Sequence, residues 1–167
     1  YVFQSDKAGN ISISHATNSL LNSGFTPTQI TSGQENQNIS LTWSAGLPEG
    51  EYSGYYINVT DEFGNVSNNL IIPTFVIDNT GPTVTQTSNI ITPTKDNTPS
   101  FTFQTTEGGV LTTSLSEGFS TPTNSTISQT NTNITFTFNE LPDATYTGET
   151  ITVTDAAGNA GTCILNT

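Results

Sequence analysis

The segment LPDATYTGETITVTDAAGNAG (residues 141–161) reads as a corner, a strand and a turn, in that order. Within it Ile151 and Val153 alternate with Thr152 and Thr154. A period of two marks a strand with one face in a core, here the face of Ile151 and Val153. The preceding Leu-Pro-x-x-x-Tyr suits a corner at which Tyr146 returns its hydroxyl to the main chain, a device of two-sheet β-sandwiches. The Asp-x-x-Gly-Asn that follows, Asp155 to Asn159, has turn chemistry: an Asx side chain caps backbone, and glycine accepts positive φ.

Residues 47–67, LPEGEYSGYYINVTDEFGNVS, match this segment, with Tyr52 on Tyr146, Gly54 on Gly148, and Ile57 and Val59 at the core-facing positions. YVFQSDKAGN (1–10) matches FTFQTTEGGV (101–110), placing Phe3 on Phe103 and Gln4 on Gln104, and GFTP (24–27) matches GFSTP (118–122). The repeat period is 94–100 residues, the length of one sandwich. The expectation is an all-β chain of two tandem Greek-key sandwiches of about seven strands each, residues 1–80 and 81–167. The connector VIDNTGPTV (76–84) has the Asp, Asn, Gly and Pro of a short, stiff joint. The second repeat opens with PTVTQTSNI (82–90) and TPTKDNTP (92–99), which have no counterpart in the first. The first is therefore expected to lack its leading strand, and PTFVID (73–78) has no partner in the second.

Composition narrows the function. Charged residues are 10% of the 167, against about 25% in ordinary domains. There are 14 acids, two bases (Lys7 and Lys95) and a net charge of −12. Nucleic acid, which needs Lys and Arg against phosphate, is close to excluded, and an anionic membrane surface is repelled. Cations are attracted. No run of 18 apolar residues suggests direct membrane insertion. His15 is the only histidine and Cys163 the only cysteine, so a catalytic triad, a zinc site and an intrachain disulfide all lack parts. An enzyme is not expected.

In the second repeat the strands are read as 83–90, 100–106, 109–115, two weak ones in 117–131, then 133–139, 147–154 and 160–166. Trp43, Phe3, Phe103 and Phe138 are expected between the sheets. Seven strands bring the 155–159 turn, the loop holding Glu107 and the start of the domain to one pole. Asp155, Asn159, Glu107, Asp78 and Asn79 would then meet. Carboxylates, amide oxygens and carbonyls are the ligands calcium takes, six to eight at a time. The first repeat offers Asp61, Asn65 and Asp6 at the equivalent pole. The same residues are equally those of plain hairpin turns, and the sequence leaves both readings open. Six sequons occur, at Asn10, Asn38, Asn58, Asn65, Asn124 and Asn133, as glycosylation candidates in a suitable host.

DNTGPTV, DNTPSFTFQTTEGG and LPDATYTGETITVTDAAGNAG, with their first-repeat partners, together resemble the bacterial Ig-like domains repeated in large surface adhesins and biofilm-associated proteins. The resemblance covers nearly the whole chain. It implies Ig-like sandwiches in an extracellular, cell-surface stalk, with neighbouring repeats or identical subunits end to end as partners. It also implies calcium at domain junctions, carried here to Asp78, Asp155 and Asn159 and by position to Asp61 and Asn65. Many relatives with a TPSFTF-type strand carry a cysteine pair, and the lone Cys163 departs from that. Two other functions stay open: a filament subunit that takes a strand from its neighbour, and a carbohydrate-binding accessory module.

Overall fold

The computed structural model describes residues 1–17, 21–123 and 125–166. The chain divides into two compact units, Tyr1–Asp78 and Asn79–Thr167. Among the described residues all regular structure is β-strand, and no helix is long and apolar enough to cross a membrane.

The first unit contains β1 (Val2–Phe3), β2 (Gly9–Ser14), β3 (Phe25–Thr26), β4 (Gln29–Ile30), β5 (Ile39–Ser40), β6 (Thr42–Trp43), β7 (Gly50–Tyr52), β8 (Tyr56–Thr60), β9 (Leu70–Ile71) and β10 (Phe75–Ile77). One sheet runs β4-β2-β8-β9, and the pairs β1-β5 and β3-β6 face it. Phe3, Phe25, Ile39 and Leu41 from the paired side join Ile11, Ile13, Ile30, Ile57 and Val59 in one core. β1 has β5 as its only strand partner, so no leading strand flanks it among the described residues. Trp43, expected between the sheets, is only partly buried and packs on the rim of the core beside Phe25, ring centroids 6.4 Å apart.

The second unit contains β11 (Val84–Gln86), β12 (Ser100–Thr105), β13 (Gly109–Thr113), β14 (Phe119–Thr121), β15 (Thr126–Ile127), β16 (Ile134–Phe138), β17 (Thr150–Thr154) and β18 (Ala160–Ile164). Its two four-stranded sheets run β11-β12-β16-β14 and β15-β13-β17-β18, all pairings antiparallel. Phe101, Phe103, Ile134, Phe136 and Phe138 of the first sheet share a core with Leu111, Ile127, Ile151 and Val153 of the second. This is a β-sandwich, with the apolar residues of each strand turned inward at every second position. Ile151 and Val153 are fully buried, as their alternation with threonine predicts.

Strand ends differ from the sequence reading in physical detail. The strand expected over 147–154 starts at Thr150, because Gly148 sits at φ 75° and breaks the extended run before it. The leading strand, expected over 83–90, pairs only at Val84–Gln86. Among the described residues the second unit holds eight strands, counting the two short ones expected in 117–131, and the first holds ten because its strands are broken into shorter pieces. In the second unit β14 pairs with β16, and β15, beyond Pro122, pairs with β13 in the opposite sheet. In the first, β3 and β4 repeat this crossing around Pro27. Proline has no N–H to offer a ladder, so pairing lapses where the chain changes sheet.

Tyr52 and Tyr146 occupy the same corner. Each hydroxyl donates to a proline carbonyl four residues back, Tyr52 to Pro48 O at 2.7 Å and Tyr146 to Pro142 O at 2.8 Å.

Candidate metal centre

Both Asp-x-x-Gly-Asn stretches close hairpin turns. In the second unit the Asp155 N–H donates to Asn159 O at 2.9 Å, and Gly158 stands at φ 95°. Asp155 Oδ1 accepts the Asn159 N–H at 2.9 Å and Oδ2 accepts Asn159 Nδ2 at 3.0 Å. The first unit repeats this between Asp61 and Asn65, where Asp61 Oδ1 also accepts the Phe63 N–H at 2.9 Å. Asn65 and Asn159, expected as ligands, thus turn their amide N–H₂ groups toward the carboxylates. These bonds orient the aspartates.

These bonds set acidity. Burial alone raises the Asp155 carboxyl, but the Asn159 side chain and N–H, with the Ala157 and Gly158 N–H groups, outweigh it and hold the carboxyl below its ordinary 3.8. The Asn65 side chain and N–H lower Asp61 in the same way, helped by the Phe63 N–H and the charge of Lys7. A depressed carboxylate stabilises the fold fully above its unfolded value and loses that contribution as pH falls through the folded one. Acid titration followed by NMR is therefore expected to show both aspartates ionised at pH 3.8, with the two turns loosening only below it. Midpoints at or above 3.8 would remove the turn bonds as their cause.

The carboxylates of Asp78, Glu107 and Asp155 offer oxygens that all lie within 4.8 Å of one another, each residue half-buried. The connector accounts for the first. Thr83 is tied within the second unit: its N–H donates to Thr106 Oγ1 at 2.9 Å and its carbonyl accepts the Thr106 N–H at 3.1 Å. A Cβ on Gly161 would overlap the Pro82 carbonyl, and one on Gly81 would come within 3.0 Å of Ala160 O. Asp78 lies three residues before Gly81 in the same connector. Glu107 is placed by its own backbone, its carbonyl accepting the Thr105 hydroxyl at 2.8 Å. Three carboxylates this close repel one another unless protonated or neutralised. A hard divalent cation is the chemistry that fits such oxygens.

The first unit has no such group of three acids among its described residues. Asp6, assigned from sequence to a site with Asp61 and Asn65, lines one shallow pocket with Asp61 and Lys7. Its pole carries a cation of its own. Phe3 on Phe103 places Lys7 at the position of Glu107, and the charge of Lys7 helps to hold the Asp61 carboxyl below its ordinary value. The alignment of residues 1–10 with 101–110 already contained this exchange of lysine for glutamate, and the sequence reading passed over it. Asn79 follows Asp78 directly in the connector.

Among the sequons, Asn10, Asn38, Asn65 and Asn133 are exposed. Asn58 is not a usable acceptor. It is 8% exposed, and its Nδ2, the atom a glycan would modify, donates to Ser67 O and Asn69 Oδ1, both at 3.0 Å. Asn124 lies outside the described residues.

Comparison of the chain with protein-family models, with curated proteins and with solved structures gives no match.

Proposed function

We propose that the chain is a pair of Ig-like structural repeats from an extracellular, cell-surface stalk, a spacer whose connector is clamped by calcium. The observation that carries this reading is duplication of a load-bearing construction. The tyrosine corner, the sheet-crossing segment and the Asx-capped turn recur in both units, while the side chains around them diverge. A spacer is selected for such construction. The adhesive ligand would belong to another part of the parent protein.

In this reading Asp78, Glu107 and Asp155 hold the ion, Asn159 aims Asp155, and Asn79 adds an amide or carbonyl oxygen. The bound cation ties the connector to the second unit and limits its swing. The first unit, with Lys7 in place of Glu107, satisfies its aspartate internally and binds no ion.

Small-angle scattering of the whole chain, with calcium and then with chelator, tests the spacer. A monomer whose distance distribution sharpens with calcium supports it, whereas large assemblies in both conditions favour a filament of strand-exchanging subunits. Titration calorimetry tests the site. Extracellular modules bind calcium at about 0.1–1 mM, and Asp155→Ala is expected to weaken binding at least about tenfold, the loss of roughly 1.4 kcal/mol. Glu107→Lys, which copies the first unit, is expected to abolish it with the fold retained. Binding unchanged in both variants would put the ion elsewhere.

A further inference from the structure

We infer that each unit carries one acceptor site for an N-linked sugar, at Asn38 in the first and at Asn133 in the second. Their sequons, Asn38-Ile39-Ser40 and Asn133-Ile134-Thr135, stand at equivalent places on a construction that is built twice. Two residues before each, an asparagine takes left-handed backbone, Asn36 at φ 58° and Asn131 at φ 54°. The Asn36 N–H donates to Ser5 O at 2.7 Å, and the Asn131 N–H to Thr105 O at 2.8 Å. A glutamine then holds the sequon amide: Gln4 Nε2 donates to Asn38 Oδ1 at 2.9 Å, and Gln104 Nε2 to Asn133 Oδ1 at 3.0 Å. The Thr87 hydroxyl adds a second bond to Asn133 Oδ1 at 3.1 Å. In both, the oxygen is engaged while Nδ2, the atom that takes the sugar, has no hydrogen-bond partner among the described residues. Asn38, Ser40, Asn133 and Thr135 are all exposed.

Main-chain access separates these two from the other sequons, because a transferase grips its acceptor as a surface segment. Among the described residues β5 pairs with β1 alone, and β14 meets β16 at Thr137 and Phe138, past the sequon. One backbone edge of 38–40 and of 133–135 is therefore open. Asn10 instead sits inside β2, opposite Gln29 of β4 on one side and Thr60 of β8 on the other. Asn65 Nδ2 donates to both Asp61 carboxylate oxygens, and the Ser67 hydroxyl of that sequon is bonded to the Val59 N–H and to Asn68 O. The co-reactant is a glycosyl diphosphate, on a nucleoside or a polyprenol carrier, presented by a transferase. A bond forms between Nδ2 and the anomeric carbon, the carrier diphosphate leaves with the electron pair of the broken C–O bond, and Nδ2 gives up one proton.

The test incubates the folded whole chain in two arms, read by intact mass and peptide mapping. One arm holds a nucleoside-diphosphate hexose with a soluble sequon-specific transferase, the other a polyprenyl-diphosphate oligosaccharide with a membrane transferase. Sugar at Asn38 and Asn133 is expected, and the arm that reacts names the carrier. The rate there is expected to exceed that at Asn10, Asn58 and Asn65 by at least about tenfold, since those three must await local opening. Ser40→Ala and Thr135→Ala, which keep the glutamine bonds, are each expected to remove one sugar. Both asparagines bare in both arms overturns the assignment. So does modification of Asn10, Asn58 and Asn65 at the same rate, or a sugar that survives its alanine variant.

Discussion

Phe136→Ala is expected to lower the stability of the second unit by about 4 kcal/mol, the cost of emptying a large aromatic site in a packed core. Phe136 is fully buried at the middle of β16, with its ring 5.0 Å from Phe101, 4.9 Å from Phe119 and 4.9 Å from Phe138. Those three come from β12, β14 and β16 itself, so one deletion loosens three of the four strands of a sheet. Neighbouring rings cannot close the gap without leaving their own contacts. For a unit of this size the change corresponds to a fall in melting temperature of about 20 °C. Calorimetry of the variant is expected to show one transition displaced and one unmoved, since the first unit has a core of its own. Two transitions moving together would mean that the units unfold as one body.

Gly109→Ala comes next, at about 3 kcal/mol, and for a different reason. The backbone of β13 begins so close to the end of β17 that a Cβ at Gly109 would overlap the Thr154 carbonyl and come within 2.9 Å of Val153 Cγ1. Neither is a flexible side-chain tip, so the two strands must part. Gly9 meets Thr60 and Val59 in the same way, and Gly9→Ala is expected to destabilise the first unit comparably. Gly158→Ala separates this cause from backbone preference. It has open space around it but stands at φ 95°, so only the conformational cost of about 1 kcal/mol applies. Equal losses at positions 109 and 158 in chemical denaturation would discount the steric account.

Local periodicity made much of this fold legible. Ile151 and Val153 alternate with threonine because only one face of β17 meets the core, and such a pattern survives in a single sequence. The tyrosine corner was readable because its donor and acceptor lie four residues apart. What depended on distant neighbours was not readable. Nothing in residues 119–127 announces that they desert one sheet for the other, because each half makes only a short ladder. Trp43 looked like a core residue by composition, but its place beside Phe25 at the rim follows from β3, where the two pair across seventeen intervening residues. For the candidate metal centre, residue types and turn chemistry were legible. The exchange of Glu107 for Lys7 was visible but needed both repeats laid side by side. The buried Nδ2 of Asn58 was invisible, since a sequon is a three-residue pattern and burial is decided elsewhere.

The sheet-crossing segment bears on how these chains behave when crowded. An exposed outer strand is a template on which a neighbour can zip, and its danger grows with the length of its unpaired row of N–H and C=O groups. In the second unit the crossing segment supplies one outer strand of each sheet, three residues of it in one and two in the other, while β11 and β18 form the opposite edges. By leaving each sheet almost as soon as it joins, it gives intruding chains no row long enough to extend. A net charge of −12 adds mutual repulsion. Wherever many copies stand close together, such short outer strands oppose amyloid-like stacking, and here one short stretch of chain guards one edge of each sheet.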